Sequence, residues 1–279
     1  MLPMKTFLKI SFPLLLLLIV TGFSFPHESQ PGKTNDAGND TSGLRIIHVF
    51  VSLCDNDSQG IVPVARKNGK GNDGPDNLFW GCANGVKTFF LESDDWDLLD
   101  SVKEPTHEVL ERCVWKSRRY NAILVAEGYR GGRIRNCTMD FLRTASGNCT
   151  DSITVNDHGK KIVVHPGDAQ LVCYLGHDGL MDFDITDPPK KNGASRDVII
   201  ISETGRLYFK DVIRAGGGNP LLWTTNLIVP GASTLKAAID GWLMKETGEQ
   251  IRQRAAKAYD AEQKCGADAA LALFATGFY

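Results

Sequence analysis

Apolar positions along the chain fall into five continuous runs, at residues 45–53 (RIIHVFVSL), 121–128 (NAILVAEG), 169–176 (AQLVCYLG), 197–202 (DVIIIS) and 220–227 (PLLWTTNL). Unbroken runs of this length predict strands covered on both faces, the pattern of a parallel sheet. Between them the period changes. Leu78, Phe79, Cys82, Val86, Phe89 and Phe90 recur at helical spacing and predict a helix over residues 77–91, and Ile134, Cys137, Phe141 and Leu142 predict another over 134–144. Val109, Leu110 and Cys113 carry the same helical spacing. The segment ITV-NDHG-KKIVV reads as a hairpin turning at residues 156–159 and decorating an edge of the sheet. Three helices close the chain: one over 232–243, a longer one with Ile251, Ala255, Ala258 and Tyr259 on one face, and a short one through Leu271 and Phe274. Helices alternating with buried strands predict an α/β fold, a right-handed three-layer α-β-α sandwich on a mainly parallel sheet, with the hairpin and the C-terminal helices added.

The N-terminus follows a different pattern. Lys5 and Lys9 precede an apolar run over 10–20, and the small residues Gly22 and Ser24 follow it. The run falls short of the ~20 apolar residues needed to cross a bilayer, so residues 1–24 read as a cleavable signal peptide. Residues 25–43, rich in Gly, Asn, Asp and Pro, read as a disordered leader, and residues 44–279 as a single α/β domain. The expected location is secreted or periplasmic, with no membrane span after signal cleavage. A formal net charge of -2, with no basic run interleaved with aromatics, gives no footprint for nucleic acid. Nothing in the pattern sets an oligomeric state.

Seven cysteines behind a signal peptide invite a disulfide framework, yet the odd number leaves one over. Cys82, Cys113 and Cys137 fall on apolar helical faces and Cys173 inside a strand, so packing accounts for these four. Cys54, Cys149 and Cys265 remain. No CxxC pair occurs, which argues against a structural zinc site.

In open parallel sheets ligands bind beyond the carboxyl ends of the strands. Here those ends carry Cys54, Asp55, Asn56 and Asp57; Glu127 to Arg130; His177 and Asp178 between glycines; Ser202, Glu203 and Thr204; and Thr224 to Asn226. The element LVCYLGHDG, a buried strand running into a histidine on a glycine turn, followed by the strand DVIIISETG, resembles the histidine element and the following strand of the caspase-like and CHAT-like cysteine peptidases. That resemblance implies a His-Gly turn supplying the base and a nucleophilic cysteine at the end of the next strand. In this chain Glu203 stands at the nucleophile's position, and Asp178 separates His177 from Gly179. The resemblance further implies a peptide or protein substrate or partner.

Histidine near neutrality suits proton abstraction from a thiol or hydroxyl, so His177 is the candidate base, with Cys54 and Ser202 as candidate nucleophiles on neighbouring strand ends. A cysteine thiol is the stronger intrinsic nucleophile, whereas Ser202 also suits a helix cap. No cofactor is required for that chemistry. The same strand ends offer an alternative, a divalent metal held by Asp55, Asp57, Glu127 and Asp178 with His177 and Glu203, as in a metal-dependent hydrolase. His48, His158 and His165 read as structural or solvent-facing. The glycine-rich stretches at 68–74 and 215–220 lack a nucleotide fingerprint and read as turns. Asn39, Asn56, Asn136 and Asn148 begin glycan-acceptor triplets. The leading expectation is an exported peptidase-type domain that has lost its standard nucleophile and binds or regulates. A purely structural exported domain is the remaining alternative.

Overall fold

The computed structural model describes residues 43–157 and 159–279. The expected signal peptide, the expected leader up to residue 42 and His158 lie outside the described residues. Sixteen elements follow in chain order: β1 (Arg45–Ser52), α1 (Val86–Leu91), β2 (Trp96–Lys103), β3 (Val109–Ser117), β4 (Ala122–Tyr129), α2 (Ile134–Ala145), β5 (Ile153–Asp157), β6 (Lys160–Val164), β7 (Leu171–Gly176), β8 (Asp197–Ile201), α3 (Gly205–Ala215), β9 (Asn219–Thr224), α4 (Ala232–Leu243), α5 (Gly248–Gln263), α6 (Ala267–Ala272) and β10 (Phe274–Ala275).

The five expected apolar runs become β1, β4, β7, β8 and β9, parallel throughout and ordered β9-β8-β7-β1-β4. Antiparallel strands extend both sides, β10 beside β9 and β3 then β2 beside β4, to give an eight-stranded sheet. The β-alternation of β1 serves two cores. Ile47, Val49, Val51 and Leu53 pack on the side of α1, α4, α5 and α6; Ile46 and Phe50 pack on the side of α2 and α3. The three-layer α-β-α expectation therefore holds. Among the described residues no helix is long and apolar enough to cross a membrane.

Three local expectations are corrected. The helix expected over 77–91 is confined to Val86–Leu91. Its first half is captured by Asn77, whose backbone carbonyl accepts from Trp80, Gly81 and Cys82 and whose side chain accepts from Phe79 N–H. Side-chain oxygens that bond nearby N–H groups compete with the helical ladder in this way. Cys113 lies on a strand, not a helix: β3 alternates Glu111, Cys113 and Trp115 toward one core. The hairpin β5–β6 forms where expected, but as its own two-stranded sheet. Val155 and Val164 bury it in the core on the α2 side, and Lys116 Nζ pairs with Asp157 at 2.7 Å. All seven cysteines are free thiols, and of the three that packing had not explained, Cys54 is fully buried in the core while Cys265 is exposed.

Candidate functional site

Chain direction fixes where the sheet opens. From β1 the chain moves to β4 on one side, then crosses to β7 on the other, so the carboxyl ends of β1 and β7 flank a topological switch point, where such sheets form ligand crevices. Four local devices shape that end. Asn77 bridges the backbone of Cys54 in both directions, accepting its N–H at 3.1 Å and donating to its carbonyl at 2.8 Å. Gln59 donates to Ser52 Oγ, Leu53 O and Gly131 O, tying the ends of β1 and β4 to one loop. Gly176, at φ 136°, lets β7 press on β1: a Cβ there would stand 2.5 Å from Ser52 O. Tyr174 donates its hydroxyl to His177 O at 2.7 Å, fixing the turn that projects the imidazole.

The next strand supplies the counterpart. Beyond β8 the chain turns sharply into α3 through Ser202, Glu203 and Thr204, with Thr204 left-handed at φ 51°. A non-glycine residue in that region is held by its surroundings, here by Thr204 N–H bonded to Asn226 O at 3.0 Å and by Thr224, whose Oγ1 donates to Ser202 O and accepts from Gly205 N–H. Glu203 is thereby aimed at the His177 turn.

His177 is 1 % exposed, and each of its ring nitrogens faces a carboxylate: Nδ1 stands 3.3 Å from Glu203 Oε2 and Nε2 stands 3.0 Å from Asp182 Oδ2. Burial alone would depress the imidazole, but the hydrogen bonds and charges of Glu203 and Asp182 more than offset it, and its pKa lies above the ordinary histidine value. Glu203 Oε2 also accepts the backbone N–H of Asp178 at 3.0 Å. Two donors that would otherwise serve an incoming ligand are therefore held by the chain's own carboxylate. Asp182 sits five residues beyond His177, after the short turn Gly179–Met181, and also accepts Gly60 N–H at 3.3 Å.

The expected nucleophiles are placed differently. Cys54 lines the same cavity as His177 and Glu203, but no hydrogen bond joins it to the imidazole. Burial, reinforced by the negative charges of Glu203 and Asp55, pushes its thiol up to about 12. Ser202 is fully buried, its Oγ has no partner among the described residues, and it packs under Gly205, where a Cβ would come within 2.8 Å of it.

The carboxylates of the metal alternative do not converge. Asp55 closes its own turn, accepting from Asp57 N–H at 3.1 Å and Ser58 Oγ at 2.6 Å, and Asp57 is exposed. Asp178 is fully buried, caps the turn through Leu180 N–H at 2.9 Å, and is pushed up to about 8 chiefly by burial. Glu127 is not at the end of β4 but within it, on the α2 side of the sheet, 3.1 Å from His48 Nε2. Among the described residues no group of three or more His, Cys, Asp or Glu side chains is placed to hold a metal ion.

Above His177, Glu203 and Cys54 the strand ends enclose a cavity of about 370 Å³. Its remaining wall is largely apolar, from Ile61, Val64, Leu78, Phe79 and Ile228, and its rim carries strongly exposed Val62 (86 %) and Leu227 (67 %). Such a pocket, apolar with a few convergent polar groups at a switch point, has the composition of a ligand site. Sequence reasoning missed Asp182, Asn77 and Gln59; the only signal for Asp182 was a carboxylate one short turn after the histidine. Comparison with protein-family models, with curated proteins and with solved structures finds no match for this chain.

Proposed function

We propose that this chain is an exported peptidase-type domain whose hydrolytic site is silent, and that it binds an extended segment of a peptide or protein partner through the cavity at its strand ends. The observation that carries the reading is the placement of both His177 ring nitrogens against carboxylates, Glu203 and Asp182. A general base needs a free nitrogen within reach of the proton it takes. A ring with both nitrogens held by carboxylates has none, and burial that pushes the Cys54 thiol up to about 12 leaves almost no thiolate at neutral pH. What favours a peptidase ancestry is the order of parts: a histidine turn follows β7, and the turn after the next parallel strand, β8, carries Glu203 beside that histidine. This agrees with the resemblance to caspase-like and CHAT-like domains and with a residue other than cysteine at the nucleophile position.

The cavity favours the binding role. Its apolar wall and exposed apolar rim accept a branched or aromatic side chain, and Glu203 in its lining accepts a backbone N–H beside it. The test combines catalysis and binding in one preparation. With a fluorogenic library of unrestricted peptides between pH 5 and 9, no turnover above buffer is expected. With photo-leucine peptides, crosslinks are expected at Val62 or Leu227. Turnover that disappears in Cys54→Ala or His177→Ala would overturn the silent site, and crosslinking that ignores Leu227→Asp would overturn the binding reading.

A further inference from the structure

The α2 side of the sheet holds a second, more polar cavity, and two buried side chains in its wall lack partners. His48 of β1 is 3 % exposed and Thr144 of α2 is 1 % exposed. His48 Nε2 faces Glu127 Oε2 at 3.1 Å, while its Nδ1 has no hydrogen bond among the described residues. Thr144 Oγ1 has none either, and the Cys149 thiol beside it is only a weak acceptor. Buried polar atoms without partners are rare in native proteins, and each calls for a water, ion or ligand. Both residues line the same cavity of about 210 Å³.

A second cavity of about 280 Å³ adjoins it, and the two share His48, Glu127, Tyr129, Asp140 and Asp151 in their walls. Together they reach the ~300–1,000 Å³ range of ligand pockets, many times the ~30 Å³ share of a single water. Donors and acceptors are mixed around the wall. Asp140 takes Tyr129 Oη at 3.0 Å on one oxygen and Arg143 Nη1 at 3.0 Å on the other, each carboxylate keeps further lone pairs, and the hydroxyls of Thr144 and Thr150 both donate and accept. Phe50 and Tyr129 add aromatic surface, and Thr150 and Asp151 stand exposed at the mouth.

An organic cation brings donors only and a carboxylate acceptors only, whereas a hydroxyl brings both. A hydroxyl therefore completes Thr144 Oγ1, and it completes His48 Nδ1 whichever ring nitrogen carries the proton. Several hydroxyls on one ring match the spread of polar groups around the wall, and the C–H faces of that ring match Phe50 and Tyr129. We propose that this cavity binds a single sugar ring, either a free monosaccharide or the end of a glycan. The site is independent of the peptide-binding reading, since it has no lining residue in common with the strand-end cavity.

Isothermal titration with D-glucose, D-galactose, D-mannose and N-acetyl-D-glucosamine, beside an array of glycans ending in the same four sugars, tests it. Cyclohexylmethanol, a ring of similar size with one hydroxyl, is the control. Saturable binding of at least one sugar is expected and none of the control; binding in free solution assigns a monosaccharide, and binding confined to the array assigns a glycan end. Thr144→Val keeps the side-chain shape and removes only the hydroxyl. It is expected to weaken binding about tenfold, the scale of one buried hydrogen bond, with an unchanged melting temperature because the hydroxyl gives up no strong partner. Asp151→Ala, at an exposed loop position, serves as the second variant and is expected to weaken binding about threefold. Absence of saturable binding in both formats, equal binding of cyclohexylmethanol, or full affinity in both Thr144→Val and Asp151→Ala would overturn the proposal.

Discussion

Two carboxylates, buried Glu111 on a strand and half-buried Glu203 just beyond one, show how differently the same chemistry can be deployed around one sheet. Glu111, on β3, is 1 % exposed and fully satisfied: Oε1 takes Lys87 Nζ at 2.7 Å and Ser101 Oγ at 3.0 Å, while Oε2 takes Trp80 Nε1 at 2.8 Å and Lys103 Nζ at 2.9 Å. Its donors come from α1, from β2 and from the loop before α1, and it does not line the strand-end cavity. Glu203 has two donors on Oε2 and none on Oε1 among the described residues, and it lines a cavity. Around it stand a left-handed Thr204, an unpartnered Ser202 Oγ and an unpartnered Asp178 Oδ2. Saturation without space is the mark of a structural ion cluster; residual bonding capacity beside open volume, with strain held in place by neighbours, is the mark of a site.

Removing Glu111 breaks that contrast at its stable end and has the largest expected effect. Glu111→Ala leaves two lysines and an indole N–H without their acceptor and is expected to cost about 3 kcal/mol, tempered by the exposure of Lys103, with a matching loss in denaturant midpoint. The pH dependence has a defined sign. Glu111 is held down to about 2 by Lys87, Trp80, Lys103 and Ser101 against the opposing effect of burial, below an unfolded value of about 4.3. Its contribution is therefore present above pH ~4.3 and is lost as pH falls toward 2. Acid unfolding of Glu111→Gln is expected to lack that component.

Asp178 provides the opposite slope. Burial, with the charge of Glu203, raises it to about 8, so the folded state holds a proton that the unfolded chain releases near pH ~3.9. Stability from this group is full below that value and declines as pH rises toward 8. Asp178→Asn is expected to flatten the wild-type stability profile over that window in chemical denaturation; an unchanged slope would mean that Asp178 is solvated in the folded protein. Asp182→Asn has a smaller effect, since it removes one of two carboxylates from His177 and leaves the core intact. A change within about 1 kcal/mol in stability is expected, with the His177 pKa moving down toward its ordinary value. Val62→Ser, at the cavity rim, is expected to leave stability within about 0.5 kcal/mol of wild type while reducing photo-leucine crosslinking.

Legibility in the sequence followed the same division. The five parallel strands were readable because strands covered on both faces need no alternation: IIHVFV, AILVA, LVCYL, VIII and LLW carry their burial in plain composition. The strand-end rule points to His177 and Glu203 on neighbouring strand ends, and the structure brings the two into contact. The antiparallel extension was not readable. In WDLLDSVK and VLERCVWKS apolar positions mix with charges, one of which, Glu111, turns out to be buried, so Val109, Leu110 and Cys113 fit a helical face as well as a strand. Glu111 illustrates the cause: its burial depends on Lys87 and Trp80, 24 and 31 residues away, and no local pattern reports that. The shortened α1 has a similar origin, because Asn77 spends its side chain on Cys54, a partner set by the fold. Asp182 and Gln59 acquire their roles only when β1 and β7 meet.

The most direct measurement is a pH titration of the His177 imidazole by nitrogen-resolved NMR, in the wild-type protein and in Glu203→Gln. In the wild type both ring nitrogens should carry protons at pH 7, with a midpoint above the ordinary histidine value that falls on substitution of Glu203. A neutral ring at pH 7, with one bare nitrogen and a midpoint indifferent to Glu203, would contradict the clamped imidazole and restore His177 as an available base.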